Sequence, residues 1–361
     1  MRIVHIITPG RLSGAELYLL DLAEELNRRG HTNVILCKRS ARAVIEEGLR
    51  RGLDVRPTGI HGKFDFPAIF RLARIIRAED ADVVHTHLST ATEWGSLAAR
   101  LVRCPCLATV QGRNVGAWYW LPHRVIANSH AVRAHLISHR VRPEKILVVH
   151  NGIRVAEFRR RLSTREAKER LGLPASAYVV GTAGHLSRKK GHADLLRGFA
   201  AAFAGRPDVR LVVLGEGPER GALQRAAGRL GLGDRLVLLG FRRDVRDVMS
   251  AYDVFALASS WEPFGLVFVE AMALGVPCIA TNAGGAPEVV ADGETGLLVP
   301  PRNPQALAEA MAKLIADDAL RQRLGSAGPD RAALFDITRK AEGVERGYRA
   351  ARALAGAATA A

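Results

Sequence analysis

An α/β protein built from two doubly wound parallel sheets is what this 361-residue sequence predicts, on three observations. Short apolar runs alternate with helix-period segments along nearly the whole chain, the pattern of repeated βα units. The alternation breaks once, at Asn151-Gly152 and a charged stretch over 153–176 closed by Gly172-Leu173-Pro174, and then resumes. The length also exceeds what one hydrophobic core usually serves, and 48% hydrophobic residues suffice for two. The predicted domains are residues 1–160 and 161–335, with the linker inside 153–176. An Ala/Arg-rich helical tail over 336–361 is expected to pack back on the first domain.

In chain order, 3–8 reads as a strand because Ile3, Val4, Ile6 and Ile7 are β-branched, and the run is too short for a signal peptide. Residues 15–29 form an amphipathic helix stopped by Gly30, followed by a strand at 34–37. A helix over 66–78 and strands at 83–86, 107–110, 125–127 and 146–150 complete the first half. A short helix at 164–171 precedes the restart. The second half carries strands at 179–182, 211–214, 236–239, 254–258, 278–280 and 297–299. Helices at 193–203, 219–230, 245–251, 265–274 and 304–316 lie between or after them.

Composition narrows the class. Lacking a run of eighteen apolar residues, the sequence predicts no transmembrane helix. The four cysteines are sparse and Cys104-Pro105-Cys106 is too tight for an ordinary disulfide framework, so a reduced, cytoplasmic setting is expected. The net charge is +16. Residues 1–160 hold 25 basic and 14 acidic side chains, and residues 161–361 hold 27 and 22, so the excess lies in the first half. Such a half suits an anionic membrane or an anionic substrate, or reflects an arginine-rich genome. A nucleic-acid partner is not expected, since neither a known module nor an aromatic-studded basic stripe is present.

In open parallel sheets ligands bind beyond the carboxyl ends of the strands, so residues that follow strands are the candidates. After the first strand comes Pro9-Gly10-Arg11-Leu12-Ser13-Gly14, a small-residue loop whose backbone N–H groups can approach a phosphate. It lacks the dinucleotide glycine fingerprint. At the end of a later strand, His85 and His87 fall on one side and Thr86 on the other, and His87, at the strand end, is the better ligand candidate. In the second half His185, Arg188, Lys189 and Lys190 lie in a glycine-bounded loop after a strand and before a helix. Three consecutive cations there oppose the helix macrodipole unless an anion neutralises them.

The segment Glu262-Pro263-Phe264-Gly265-Leu266-Val267-Phe268-Val269-Glu270 spaces two carboxylates eight residues apart. Glu262 falls where a loop should end and Glu270 on the helix that follows. Sharing one face over just over two helical turns they would sit about 12 Å apart, too far for a shared proton but suited to gripping two ends of one long ligand. Asp80-Ala81-Asp82 spells a metal-dependent sugar-transferase motif but precedes its strand, at the wrong end of the sheet. No nucleophile elbow, phosphate loop or zinc spacing appears.

These pieces, in this order, resemble the retaining glycosyltransferases of family 4. The most specific is Glu262 to Glu270 with Ala271-Met272-Ala273-Leu274-Gly275-Val276-Pro277, followed by Gly284-Gly285-Ala286-Pro287-Glu288 and Asp292-Gly293-Glu294-Thr295-Gly296. The resemblance implies the GT-B fold, two Rossmann-like domains facing a central cleft. It implies hexosyl transfer from a nucleotide-diphosphate sugar, with retention and with neither metal nor cofactor. Glu262, His87 and Lys190 would be catalytic. Glu262 would hold donor-sugar hydroxyls, Lys190 would neutralise the diphosphate, and His87 would contact the sugar near the acceptor. Gly14, His185, Arg188, Lys189, Lys190, Gly265, Leu266 and Glu270 would bind the donor, Glu270 at the ribose.

The chain departs from the family at three places. His185 stands where Arg is common, Ser13-Gly14 replaces Gly-Gly, and Gln111-Gly112 replaces His-Gly. The expected acceptor is a cell-envelope glycan or glycolipid, as in lipopolysaccharide or exopolysaccharide synthesis, reached at an anionic inner membrane face. The competing expectation is a sugar-nucleotide-binding regulator that has lost turnover, which His185 and Gln111 would permit.

Overall fold

The computed structural model describes residues 1–8, 14–60, 62, 65–113 and 117–360. It divides into two compact units, Met1–Gly152 with Ile337–Ala361, and Ile153–Asp336.

The first unit holds strands β1 (Arg2–Ile7), β2 (Thr32–Lys38), β3 (Asp54–Thr58), β4 (Val83–His87), β5 (Cys106–Val110), β6 (Arg124–Ala127) and β7 (Ile146–Val148). They pair in parallel in the order β3-β2-β1-β4-β5-β6-β7. Strand alternation sends Ile3, Ile7, Val83 and Leu107 into one buried layer, with Tyr18 and Tyr348 from helices Gly14–Arg28 and Ile337–Ala360. Val4, Ile6 and Val84 enter the opposite layer, against helices Ala68–Ala78 and Ser89–Leu101. Burial on both faces is what a parallel sheet requires.

The second unit holds β8 (Tyr178–Ala183), β9 (Val209–Leu214), β10 (Leu236–Gly240), β11 (Val254–Leu257), β12 (Cys278–Thr281) and β13 (Gly296–Val299), parallel in the order β10-β9-β8-β11-β12-β13. In each sheet the strand order reverses once, between β1 and β4 and between β8 and β11. The crevice for a ligand opens at such switch points, beyond the carboxyl ends of those strands. Two parallel doubly wound sheets, each flanked by helices, make up the fold.

The structure corrects several expectations. The stretch over 153–176 is no linker: Ile153, Ala167 and Leu173 are buried in the second unit's core, and Ile153 bridges to Asp336. The unit boundaries fall at Gly152/Ile153 and Asp336/Ile337, and the closing helix packs on the first unit. Strand β3 and helices Arg42–Arg50, Ser89–Leu101 and His130–Ser138 were not expected. Among the described residues no helix is long and apolar enough to cross a membrane, and the four cysteines are buried and unpaired.

Candidate functional site

In the second unit the chain leaves β8 and makes a single 3-10 turn, Arg188–Lys190, before helix His192–Ala202 begins. The three cations therefore precede the helix rather than occupying its first turn, where Asp194 sits as the macrodipole favours. Gly191 separates turn from helix at φ +66°, and a Cβ there would stand 1.9 Å from the Ala258 carbonyl oxygen. Only glycine permits that approach. The Ser260 amide donates to the Lys189 carbonyl at 2.9 Å, so the loops after β8 and β11 are tied backbone to backbone.

That tie brings Lys190 to Glu262. The ammonium donates to Glu262 Oε2 at 2.7 Å, and Ser259 Oγ donates to the same oxygen at 2.9 Å. Glu262 is 5% exposed. Its backbone is clamped from the loop after β12: the Gly285 amide donates to the Glu262 carbonyl at 2.7 Å, and Gly284, at φ +71°, leaves no room for a Cβ, which would meet that carbonyl at 2.2 Å. Three loops therefore fix one carboxylate at the β8/β11 switch point, and a charge-assisted pair offsets its desolvation.

Glu262 is not on the helix that carries Glu270. Gly265, at φ +95°, turns the backbone before helix Leu266–Ala273 starts, so Glu262 ends a loop and Glu270 lies on the helix that follows, as expected. The rise of about 12 Å along one helix axis therefore does not measure their separation. Glu270 is half-buried on that helix. The helix has no side-chain cap at Gly265, which leaves first-turn N–H groups of the kind that bind anions.

Of the remaining loop residues, Arg188 is 92% exposed in its side chain and lies 3.6 Å from Glu219, and Lys189 is exposed. His185 Nδ1–H donates to the Glu216 carbonyl at 2.7 Å, so Nε2 is the nitrogen not used in that bond. As a neutral ring it accepts there; it binds an anion only when protonated. His192, at the start of its helix, was missed by the sequence reading. It is 5% exposed and neither ring nitrogen has a partner. Burial above all, then Lys190 and His185, pushes it down to about 4. The signal for it was its place directly after Lys190-Gly191.

In the first unit, His87 closes β4 beside the end of β1, paired with Ile7, and is 1% exposed. His85 and His87 do share a side, with ring centroids 4.2 Å apart, and His5 of β1 joins them. His85 reaches the Tyr348 hydroxyl at 2.8 Å and Thr109 Oγ1 at 2.7 Å. The three imidazoles offer nitrogens within 4.8 Å of one another, as a metal site does. Both nitrogens of His5 and of His85 are, however, engaged in hydrogen bonds, and Lys340, 3.0 Å above the Tyr18 ring, puts a cation nearby. Gly14 opens its helix exposed, with open space where a Cβ would stand. The loop before it, residues 9–13, lies outside the described residues. Gln111 follows β5 with a buried, unpartnered Nε2. Asp82 lies at the opposite end of the sheet, accepting from the Arg2 amide at 2.8 Å.

The chain is similar to known proteins in sequence and in fold. Residues 163–331 fit the family Glycosyl transferases group 1, and residues 12–157 fit Glycosyltransferase Family 4. The D-inositol 3-phosphate glycosyltransferase of Streptomyces bingchenggensis is 35% identical over 325 residues, 76% of this chain and 69% of that protein. The chain belongs to glycosyltransferase family 4. The lipopolysaccharide core biosynthesis glycosyltransferase LpsE of Rhizobium meliloti is 37% identical over 45% of this chain and 46% of its own length. Matches to several curated relatives span about half of those proteins' length. Among solved structures, Anabaena HepE in complex with UDP and glucose aligns with a TM-score of 0.87 and 26% identity over 96% of this chain and 98% of that one. The fold is thus of the GT-B class.

Proposed function

We propose that this protein transfers a sugar, with retention, from a nucleotide-diphosphate donor to a cell-envelope glycan or glycolipid acceptor. The observation that carries the reading is the Lys190–Glu262 pair at 2.7 Å, built by three loops at the β8/β11 switch point. Lys190 spends one of three N–H donors on Glu262, and both hydrogen bonds to the carboxylate fall on Oε2. In this reading the ammonium takes a diphosphate oxygen and Oε1 accepts from a sugar hydroxyl. Stabilising the departing diphosphate and an oxocarbenium-like centre is electrostatic work, which Lys190 and the uncapped helix after Gly265 supply without a metal. The leaving phosphate oxygen takes the acceptor's proton on the face it departs from. His87 is the first unit's candidate for contact with the transferred sugar, and Glu270 the second unit's candidate for the ribose.

Support for a nucleotide-sugar donor comes from HepE, solved with UDP and glucose, and for an envelope acceptor from LpsE. A peripheral membrane position rests on the first unit, which holds 27 basic and 15 acidic residues against 25 and 21 in the second. It also rests on Phe66, Phe70, Arg74 and Arg77, exposed at helical spacing in and just before helix Ala68–Ala78, with the two phenylalanines 64% and 69% exposed. Aromatic and cationic side chains on one face suit an anionic interface.

The test is a thermal-shift panel of nucleotide sugars, followed by transfer assays with the donor that raises the melting point and anomeric analysis of the product. Inversion at the anomeric carbon removes retention, and a purified Lys190→Ala protein with full activity removes the role given to that cation. The second reading, a binding protein without turnover, is favoured by His185 and the Gln111 amide. Donor binding with neither transfer nor hydrolysis selects it.

A further inference from the structure

The polar chain behind His87 has a direction that the distances fix. Asn33 Nδ2 donates to Asn27 Oδ1 at 2.7 Å and to the Ala23 carbonyl at 3.4 Å. A carbonyl only accepts, so this end of the amide is nitrogen, and Oδ1 is the atom that faces His5 Nε2 at 2.8 Å. His5 must therefore donate from Nε2, which as a neutral ring leaves Nδ1 as an acceptor. His5 Nδ1 lies 3.1 Å from His87 Nε2, so His87 carries its proton on Nε2 and donates it to His5. What remains is His87 Nδ1: a bare lone pair, buried, with no partner.

We propose that His5, locked by Asn33, is a positioning residue that holds His87 as a hydrogen-bond acceptor, so that this site takes a ligand hydroxyl and not a carbonyl or phosphate oxygen. This rests on the reading that places His87 against the transferred sugar. A saccharide offers hydroxyl donors, and a bare Nδ1 left by the relay is complementary to one of them. The groups facing the three rings agree with a neutral state. His5, His85 and His87 stand side by side, Lys340 adds a cation from the closing helix, and Tyr18 and Tyr348 border the rings. Burial chiefly, with the neighbouring His5 and Lys340, holds His87 well below its ordinary value. Nothing on β4 itself sets the tautomer. The instruction comes from β1 and β2, through residues at whose positions an apolar side chain would satisfy the packing.

Ring nitrogen NMR on the full-length protein reads this directly, with His87 assigned by loss of its signals in His87→Phe. The expected wild-type spectrum shows a protonated, pyrrole-like Nε2 and a bare Nδ1. In His5→Leu the Nε2 proton loses its acceptor, an Nδ1-protonated population appears, and kcat/KM for the donor falls roughly tenfold, the worth of one hydrogen bond. His5→Asn restores an acceptor oxygen near the Nδ1 position, and with it the spectrum and most of the rate. A donor lacking the hydroxyl that meets Nδ1 should lose the same factor with wild type and nothing further with His5→Leu. A proton on Nδ1 in wild type overturns the proposal whatever the variants do, as does an unchanged His87 tautomer in His5→Leu. If no sugar donor is bound or turned over by wild type while the spectrum shows a bare Nδ1, the relay stands and the glycosyl-transfer reading fails.

Discussion

At the switch point of the second unit a lysine and a glutamate meet at 2.7 Å, while at that of the first three imidazoles meet within 4.8 Å. The pair lies beyond the carboxyl ends of β8 and β11, and the imidazoles lie along β1 and β4 with His87 at the carboxyl end, so the switch-point topology is shared and the electrostatics are not. The second unit keeps two full charges in place by closing three backbone loops around them. The first keeps its rings neutral by burial and gives them direction through Asn33, Tyr348 and Thr109. A charged pair can exchange its partner for an anionic ligand and stabilise charge that develops in a reaction. A neutral relay sets which atom donates and which accepts, which orients a ligand and contributes little to its charge balance.

The sharpest way to break this contrast is at Lys190. Lys190→Ala or Glu262→Ala is expected to lower turnover on the order of 10²–10³-fold, the effect of deleting one electrostatic stabiliser. Steady-state kinetics on folded protein, checked by circular dichroism, measure it. A loss larger at His87 than at Lys190 would reverse the assignment of charge work to the second unit.

Acid separates the units next. His5 is neutral when folded, pushed to about 4 against 6.5 for the free side chain, chiefly by burial. As pH falls the unfolded chain takes the proton first. The contribution is whole above pH 6.5 and is lost between there and about 4, at most about 3 kcal/mol for this ring. His85 and His87 shift in the same direction, whereas the second unit's switch point has His192. Hydrogen exchange at pH 5 against pH 7 should show the amides of β1 and β4 losing more protection than those of β8 and β11. Equal losses would mean the rings are not the acid-sensitive element.

Smaller effects sharpen the picture. His185→Arg should tighten donor binding about tenfold, since a fixed guanidinium replaces a nitrogen that is cationic only when protonated. Isothermal titration with the nucleotide sugar that raises the melting point tests this, and weaker binding would show that the Glu216 contact matters more than charge. Last, Arg74→Ala should weaken sedimentation with anionic vesicles by about 1 kcal/mol and leave neutral vesicles unaffected, whereas Phe70→Ser should weaken both. Indifference of wild type to lipid charge and to salt removes the membrane proposal.

How much of this could be read in advance differs between the units for a physical reason. In the second, all six strands are compact apolar runs bounded by Gly, Pro or charge, and the sequence shows each of them. In the first, β3 reads Asp-Val-Arg-Pro-Thr, which looks like a loop; Pro57 is tolerated because β3 is the edge strand. Helix Ser89–Leu101 hides for the opposite reason. It is buried nearly all round by small residues, so it lacks an apolar stripe, and Gly95 lies against Thr86 and Ile6. Lys190 and Glu262 were legible as motif residues, but their direct contact was not, since it depends on a backbone bond between Ser260 and Lys189, 71 residues apart. The relay behind His87 was invisible because His5 and Asn33 sit inside strand patterns that an aliphatic residue would fit equally well.

The closing helix Ile337–Ala360 lends Tyr348 to His85 and Val344 to the core of the first unit, although the whole second unit intervenes in the chain. Sequence and synthesis therefore run in a different order from completion. On the ribosome the contiguous segment ending at Asp336 has all its strands and can close while the earlier sheet still exposes the surface that awaits its last helix. That surface stays bare until the closing helix has emerged.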